Sequence, residues 1–219
     1  MMILENIFLY RITHIENIPH ILKNGITHKN SPNRNTQFVN IGDVSLISTR
    51  NKKIVRVDNG DTAFTDCPKI ALGDYIPFYF GTRMPMLYVI QHGGNFVQNA
   101  TSPENIVYLV ISLYKIFHSD IMFYFTDGHA TDNLTTFYDR NKIDDLPAII
   151  DWNALKSKFW AGQENLDIKR KMQAEFLVQG DIPFEYLKGF VCYNKLAKDK
   201  LICMGCDADS IKINFEAYY

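Results

Sequence analysis

The chain has few cysteines, almost no net charge and no long apolar run. Of its four cysteines, Cys203 and Cys206 form one Cys-x-x-Cys pair. Cys67 and Cys192 do not supply the second pair that a structural zinc site needs, so no metal is expected and the thiols read as reduced. A formal net charge of −1 over 219 residues excludes a global basic field. It leaves room for a local basic groove, which is enough for nucleic acid. No apolar run reaches the ~18 residues of a membrane span. The stretch Met1–Asn6 has neither a basic leader nor a small-residue cleavage site. These absences predict a cytoplasmic protein with no membrane association. Also missing are the Gly-rich phosphate loops, the Gly-x-Ser-x-Gly elbow and His-Glu-x-x-His, so the common kinase, dehydrogenase and hydrolase readings have no support. No repeat, low-complexity tract or linker interrupts the chain, which reads as one domain over residues 1–219.

Aromatic residues are plentiful, with 12 Tyr and 15 Phe, and they favour strands over a helical bundle. Asn6 to Ile12 reads as a first strand. A helix then starts at Asn17 rather than Thr13, because only the later start leaves Pro19 in the first turn. Ile18, Ile21 and Leu22 form its apolar face, and Asn24-Gly25 ends it. Residues 28–72 are polar and turn-rich, with a short helical turn near Val44 to Thr49. The densest basic run, Arg50 to Arg56, follows. Gly73 to Gly81 reads as a strand that Pro77 confines to an edge or bulge. Leu87 to Gln91 suits a short helix or strand. Ile106 to Ser112 suits the centre of a sheet, and Met122 to Thr126 is a further strand. Thr131 to Tyr138 reads as helical. Asp151 caps a helix whose Trp152, Leu155 and Phe159 form a core stripe. Phe190–Tyr193 and Ile211–Phe215 complete the strands. The spacing of strands and helices argues against a doubly wound sheet.

The stretch from Lys169 to Val178 carries the clearest chemical signal. A basic run passes into a strand in which Gln173 and Glu175 share one side, while Phe176 and Val178 face a core. A carboxylate on so apolar a strand is either an acid paired with a nearby cation or a catalytic group on a rigid element.

Six pieces recur in a distinctive order: Tyr10 to Asn17, the Arg50 region, Asp74 to Phe80, Arg83 to Tyr88, Phe125 to Ala130 and Gln173 to Val178. Together, over Tyr10 to Tyr193, they resemble the DarT family, bacterial toxins that ADP-ribosylate DNA. The resemblance implies an α+β ADP-ribosyltransferase fold, with two small sheets forming a cleft for NAD and short helices around them. It implies transfer of ADP-ribose from NAD to thymidine or guanosine in single-stranded DNA, with release of nicotinamide. It also implies a macrodomain antitoxin of the DarG type as partner to a monomeric toxin.

Carried over by position, Glu175 matches the family's catalytic glutamate, which holds the ribose 2′-hydroxyl as positive charge builds on the sugar. Arg50 matches the second essential residue, near the acceptor base, with Arg56 as the alternative. Arg11, Thr13, His14 and Asn17 match the first NAD-binding motif, where many members carry His in place of Arg11. Tyr75 and His129 line the cleft or pack structurally. Lys52, Lys53 and Arg83 are candidates for phosphates of the incoming strand. Lys169 and Arg170 lie in the segment before the glutamate, which reads the substrate and is expected to order on DNA. Two rival readings remain: a transferase acting on RNA or protein, and an inactive module that binds NAD or nucleic acid.

Overall fold

The computed structural model describes residues 3–94, 96, 97 and 99–219. Its strands are β1 (Phe8–His14), β2 (Ile54–Arg56), β3 (Lys69–Ala71), β4 (Tyr75–Tyr79), β5 (Ile106–Ser112), β6 (Phe123–Thr126), β7 (Phe137–Tyr138), β8 (Glu175–Gln179), β9 (Leu187–Cys192) and β10 (Ile211–Ile213). Its α-helices are α1 (Ile18–Asn24), α2 (Val44–Lys52), α3 (Pro85–His92), α4 (Leu113–Phe117), α5 (Leu146–Ile149), α6 (Trp152–Leu155), α7 (Leu166–Lys171) and α8 (Lys195–Cys203). Eight strands form a mixed sheet in the order β10-β9-β5-β1-β4-β8-β6-β7, and β2 and β3 form a separate pair.

The large sheet is nearly two sheets. β1 runs along β5 through seven residue pairs, and β4 runs along β8 through five. Between β1 and β4 the register holds only Tyr10↔Tyr79. The expected two small sheets are therefore two four-stranded halves, hinged at one pair and diverging beyond it. Pro77 sits on β4 where the halves part, so its missing N–H leaves no ladder bond unmade there.

Three apolar clusters hold this arrangement. The largest takes Leu9, Phe78, Leu109, Phe125, Phe176 and Val178, among others. A second joins the small sheet to the large one through Val55, Leu72, Tyr75, Tyr124 and Leu177. β8 thus buries both faces, which is why its sequence runs apolar instead of alternating. Phe176 stacks on Phe123 with ring centroids 4.7 Å apart, and truncation to Ala would cost about 3–5 kcal/mol. The third cluster seats α3 through Met84, Leu87 and Ile90 against Tyr108 and Tyr218.

Several local expectations change. Thr131–Tyr138 is not a helix: turns occupy residues 131–134 and β7 follows. Its polar side chains bind nearby backbone instead, with Thr135 Oγ1 donating to His129 O and Asp132 Oδ1 accepting from Leu134 N. Asp151 does cap a helix, accepting from Asn153 and Ala154 N, but α6 ends at Leu155. Phe159 lies beyond it and is 82% exposed, so the stripe ends at Leu155. Gln173 is not on a strand with Glu175. It lies in the turn before β8 and donates to Lys169 O. Asn17 does precede α1, but its side chain does not cap the helix.

Candidate active site

The cleft lies where the two halves of the sheet part. Arg11 on β1 reaches across the gap, its Nη1 donating to Pro77 O on β4 at 2.9 Å. A cavity of about 290 Å³ opens there, lined by Arg11, Thr13, Arg50, Tyr75, Tyr79 and His129 among others. A second of about 220 Å³ shares Arg11, Thr13 and His28 with it and extends to Asn17 and Arg34. The two make one elongated groove of the size that small-molecule sites occupy.

Helix α2 covers one wall. Asp43 Oδ1 caps it by accepting from Ser45 N at 2.8 Å and Leu46 N at 3.0 Å. No α2 residue is fully buried, so the helix owes little to a core. It sits on the turn before β4 because Gly73 admits it: a Cβ there would meet Asn51 Cα at 2.9 Å. The last turn of α2 carries Arg50, where a cation also complements the helix dipole.

Arg50 meets Glu175 beneath the cleft. Nη1 donates to Glu175 Oε2 at 2.7 Å, with the guanidine side chain 14% exposed and the carboxylate fully buried. Glu175 Oε1 accepts from Ala130 N at 2.9 Å. Its backbone N donates to Thr126 Oγ1, which in turn donates to Gly128 O at 2.6 Å. The loop after β6 is thereby a cradle for the carboxylate. Burial opposes charge on Arg50, yet Glu175 and Tyr79 outweigh it and its pKa is raised. Arg50 Nη2 is buried without a partner among the described residues, a donor left for a ligand. Glu175 itself does not line the cavity; Arg50 lies between. The two readings of Glu175 thus meet in one geometry, an acid paired with a cation under a ligand-sized groove.

The surroundings are strongly cationic. Arg11 is pushed down by burial, with Arg50 nearby adding to the effect and Tyr79 and Glu175 opposing it. The Tyr79 hydroxyl is pushed up by burial and by Glu175. His129 is lowered by burial first, with Glu175 opposing, so it is neutral at pH 7. Its Nδ1 lies 2.7 Å from Thr131 Oγ1. Tyr75 is raised to about 12 by burial and by its neighbour Tyr124.

The structure brings Arg11, Thr13, Arg50, Tyr75 and His129 together around one cavity, and Arg50 links that cavity to Glu175. Thr13 Oγ1 accepts from Asn17 Nδ2 at 3.0 Å, and Asn17 also bonds both N and O of Val39. Asn17 therefore ties the 33–40 loop to the cleft. His14 faces away, into a smaller pocket with Val39 to Gly42, and accepts from Glu16 N. Arg56 is remote from Glu175 and bonds Cys67 Sγ and Phe64 O, which favours Arg50 over the alternative. Lys53 is engaged by Thr131 O and Asn133 Oδ1. Arg170 is 9% exposed and held by Asp127 and Asp167, each at 3.1 Å, so it braces the cradle loop and does not face solvent. Lys52 is exposed, and Lys169 lies over the Trp160 ring. Arg83 caps the Tyr219 ring at 4.5 Å. Sequence reasoning missed Tyr79, Thr126 and Ala130 as neighbours of Glu175, although each lies within a quoted piece. Only their long-range pairing reveals the role, as in the register Tyr79↔Glu175.

The model of the DarT family, described as ssDNA thymidine ADP-ribosyltransferase, matches residues 10–219. A DNA ADP-ribosyl transferase of Escherichia coli O127:H6 is 34% identical over 193 residues, covering 87% of this chain and 82% of that protein. The structure of Thermus sp. 2.9 DarT in complex with ADP-ribosylated ssDNA superposes with a TM-score of 0.81 at 27% identity, covering 98% of this chain and 97% of the other. The same Thermus protein in complex with NAD+ gives a TM-score of 0.76 at 27% identity, covering 98% of each chain.

Proposed function

Because the chain belongs to the DarT family of ssDNA thymidine ADP-ribosyltransferases, we propose that it transfers ADP-ribose from NAD to a base in single-stranded DNA. NAD is consumed as a substrate, and nicotinamide leaves. The observation that carries the reading is the buried Arg50–Glu175 pair at the base of an elongated groove between the two halves of the sheet. The Thermus relative, similar over the whole chain, binds NAD+ and ADP-ribosylated ssDNA.

The chemistry follows from the charges. The bond between ribose C1 and the nicotinamide nitrogen breaks, and its electron pair leaves with nicotinamide. The sugar becomes oxocarbenium-like. Glu175 is the carboxylate that accepts from the ribose 2′-hydroxyl and stabilises that cation. It stands at a strand start, cradled by Ala130 N and Thr126, which supplies the small positional tolerance that the step demands. Arg50 covers Glu175 in the resting arrangement, so it swings from Oε2 as NAD seats. It then orients the acceptor base, whose ring nitrogen attacks C1 and loses its proton to solvent water. Arg11 and the loop tied by Asn17 hold the remainder of the dinucleotide. Arg11 in place of the common His keeps a donor and adds a fixed charge.

Thymidine is the acceptor named in the family's description. A macrodomain antitoxin of the DarG type that removes the mark is the partner this toxin activity calls for. Lys52, Arg83 and Lys169 are the phosphate contacts; Lys53 and Arg170 serve the structure. Mass spectrometry of nucleosides from treated single-stranded DNA tests the proposal. ADP-ribosyl-thymidine is the expected product, and ADP-ribosyl-guanosine would reassign the acceptor. Labelled RNA or protein with unlabelled DNA would overturn the reading. Glu175→Ala abolishes nicotinamide release if the assignment holds.

A further inference from the structure

An aromatic cluster outside the cleft has no part in the chemistry above. Tyr88 of α3, 41% exposed, meets Tyr219 edge-on at 5.3 Å and Trp160 at 5.8 Å, and stacks on His92 at 4.2 Å. Trp160 Nε1 donates to Tyr219 Oη at 3.0 Å, and Tyr219 Oη donates to Arg83 O. Two cations lie on the rings: Arg83 over Tyr219 at 4.5 Å and Lys169 over Trp160 at 5.4 Å. Neither makes an ion pair among the described residues. The nearby chain adds exposed Lys156 and Lys158.

The backbone is bent to build this surface. Arg83 has φ of 52°, a left-handed conformation unusual for a side-chain-bearing residue. Its N donates to Tyr108 Oη at 3.3 Å and its O accepts from Tyr219 Oη, so the strained turn is held from both sides. The cluster also borders the groove. Helix α3 gives Met86 and Ile90 to the cavity lining and Tyr88 and His92 to the cluster. Trp160 and Lys169 lie on the segment that leads to Glu175.

Aromatic faces interleaved with unpaired cations are what a single strand of nucleic acid requires. Every base offers a π-face for stacking, and each phosphate offers a charge. We propose that Tyr88, Trp160 and Tyr219, with Arg83 and Lys169, form a platform on which a base flanking the acceptor in single-stranded DNA stacks. This rests on the DNA-transferase reading and extends it to the strand outside the cleft. The platform sets affinity for the flank and holds the strand while the acceptor enters.

The test separates stacking from charge. Two 12-nucleotide strands carry the same central mixed sequence; one has normal flanking bases and the other abasic flanks, so their phosphates are equal. Binding is measured without NAD by the fluorescence anisotropy of a dye on the strand, and quenching is read separately in a Trp152→Phe protein where Trp160 is the one remaining tryptophan. The strand with bases should quench Trp160 and bind about tenfold tighter than the abasic strand. Tyr88→Ser, at an exposed position, and Trp160→Ala should bring that ratio towards one, and Trp160→Phe should keep most of it. Absence of quenching overturns the proposal, as does a ratio that the substitutions leave unchanged. Equal losses on both strands overturn it too. If the Trp152→Phe protein shows quenching and the wild type shows the ratio but transfers nothing to DNA, the transfer reading fails and the platform stands.

Discussion

Removing one partner of the Arg50–Glu175 pair isolates the interaction at the centre of the site. Arg50→Ala leaves a carboxylate with no solvent contact and Ala130 N as its hydrogen-bond donor. Breaking a buried pair from one side costs about 3–5 kcal/mol. The guanidinium is 14% exposed, and water entering its place softens the loss, so the lower end, about 3 kcal/mol, applies. For a chain of this length that is a drop of about 6–12 °C in Tm. Glu175→Ala should cost a similar amount, because it orphans Arg50 Nη1 and Ala130 N together. The double variant should then be less destabilised than the sum by about 2 kcal/mol or more, since neither charge remains to be stranded. Urea unfolding followed by tryptophan fluorescence measures all four proteins. Single-variant losses that add to within about 0.5 kcal/mol would refute the coupling.

Other perturbations follow from the same geometry. His129 is depressed by burial, so the unfolded chain takes up its proton first as pH falls below about 6.5. Its contribution to stability is complete above that pH and is lost on acidification; His129→Gln should flatten a plot of Tm against pH between 7 and 5. Gly128→Ala places a Cβ against Arg170 Nη1 and 3.0 Å from Thr135 Oγ1, so Arg170 must leave Asp127. Transfer activity should fall with little change in NAD affinity, and titration calorimetry beside a kinetic assay checks that split. Arg170→Ala should lower Tm by several degrees and leave the salt dependence of DNA binding untouched. Lys169→Ala should leave Tm unchanged and reduce the salt slope by about one. The segment containing α7 should lose protease sensitivity when a matching single strand is added, as gel analysis of a time course would show.

Local patterns in the chain were sufficient for most elements. The nearly continuous apolar run at Ile106–Ser112 requires burial on both faces and so reads as a central strand, whereas burial of both faces of β8 appears only in the fold. Pro19 restricts the start of α1 because its ring excludes an earlier one. Patterns carry less where polar side chains compete with the backbone, as in Thr131–Thr136, or where a stripe outlives its helix, as at Phe159. The candidate acid was legible too, since a glutamate within so apolar a strand needs a partner or a task.

Which partner it has, no local pattern can say. Arg50 and Glu175 are separated by 125 positions, and their meeting depends on α2 resting on Gly73 and on β8 pairing with β4. Arg170 reads in sequence as one more exposed cation, yet Asp127, 43 positions earlier, draws it inside. The groove itself belongs to no segment. It exists because β1 and β4 join at Tyr10↔Tyr79 and then part. Strand and helix tendencies are short-range and were settled by neighbouring residues; the cleft and its charges are long-range contacts, which only the folded chain brings within reach of one another.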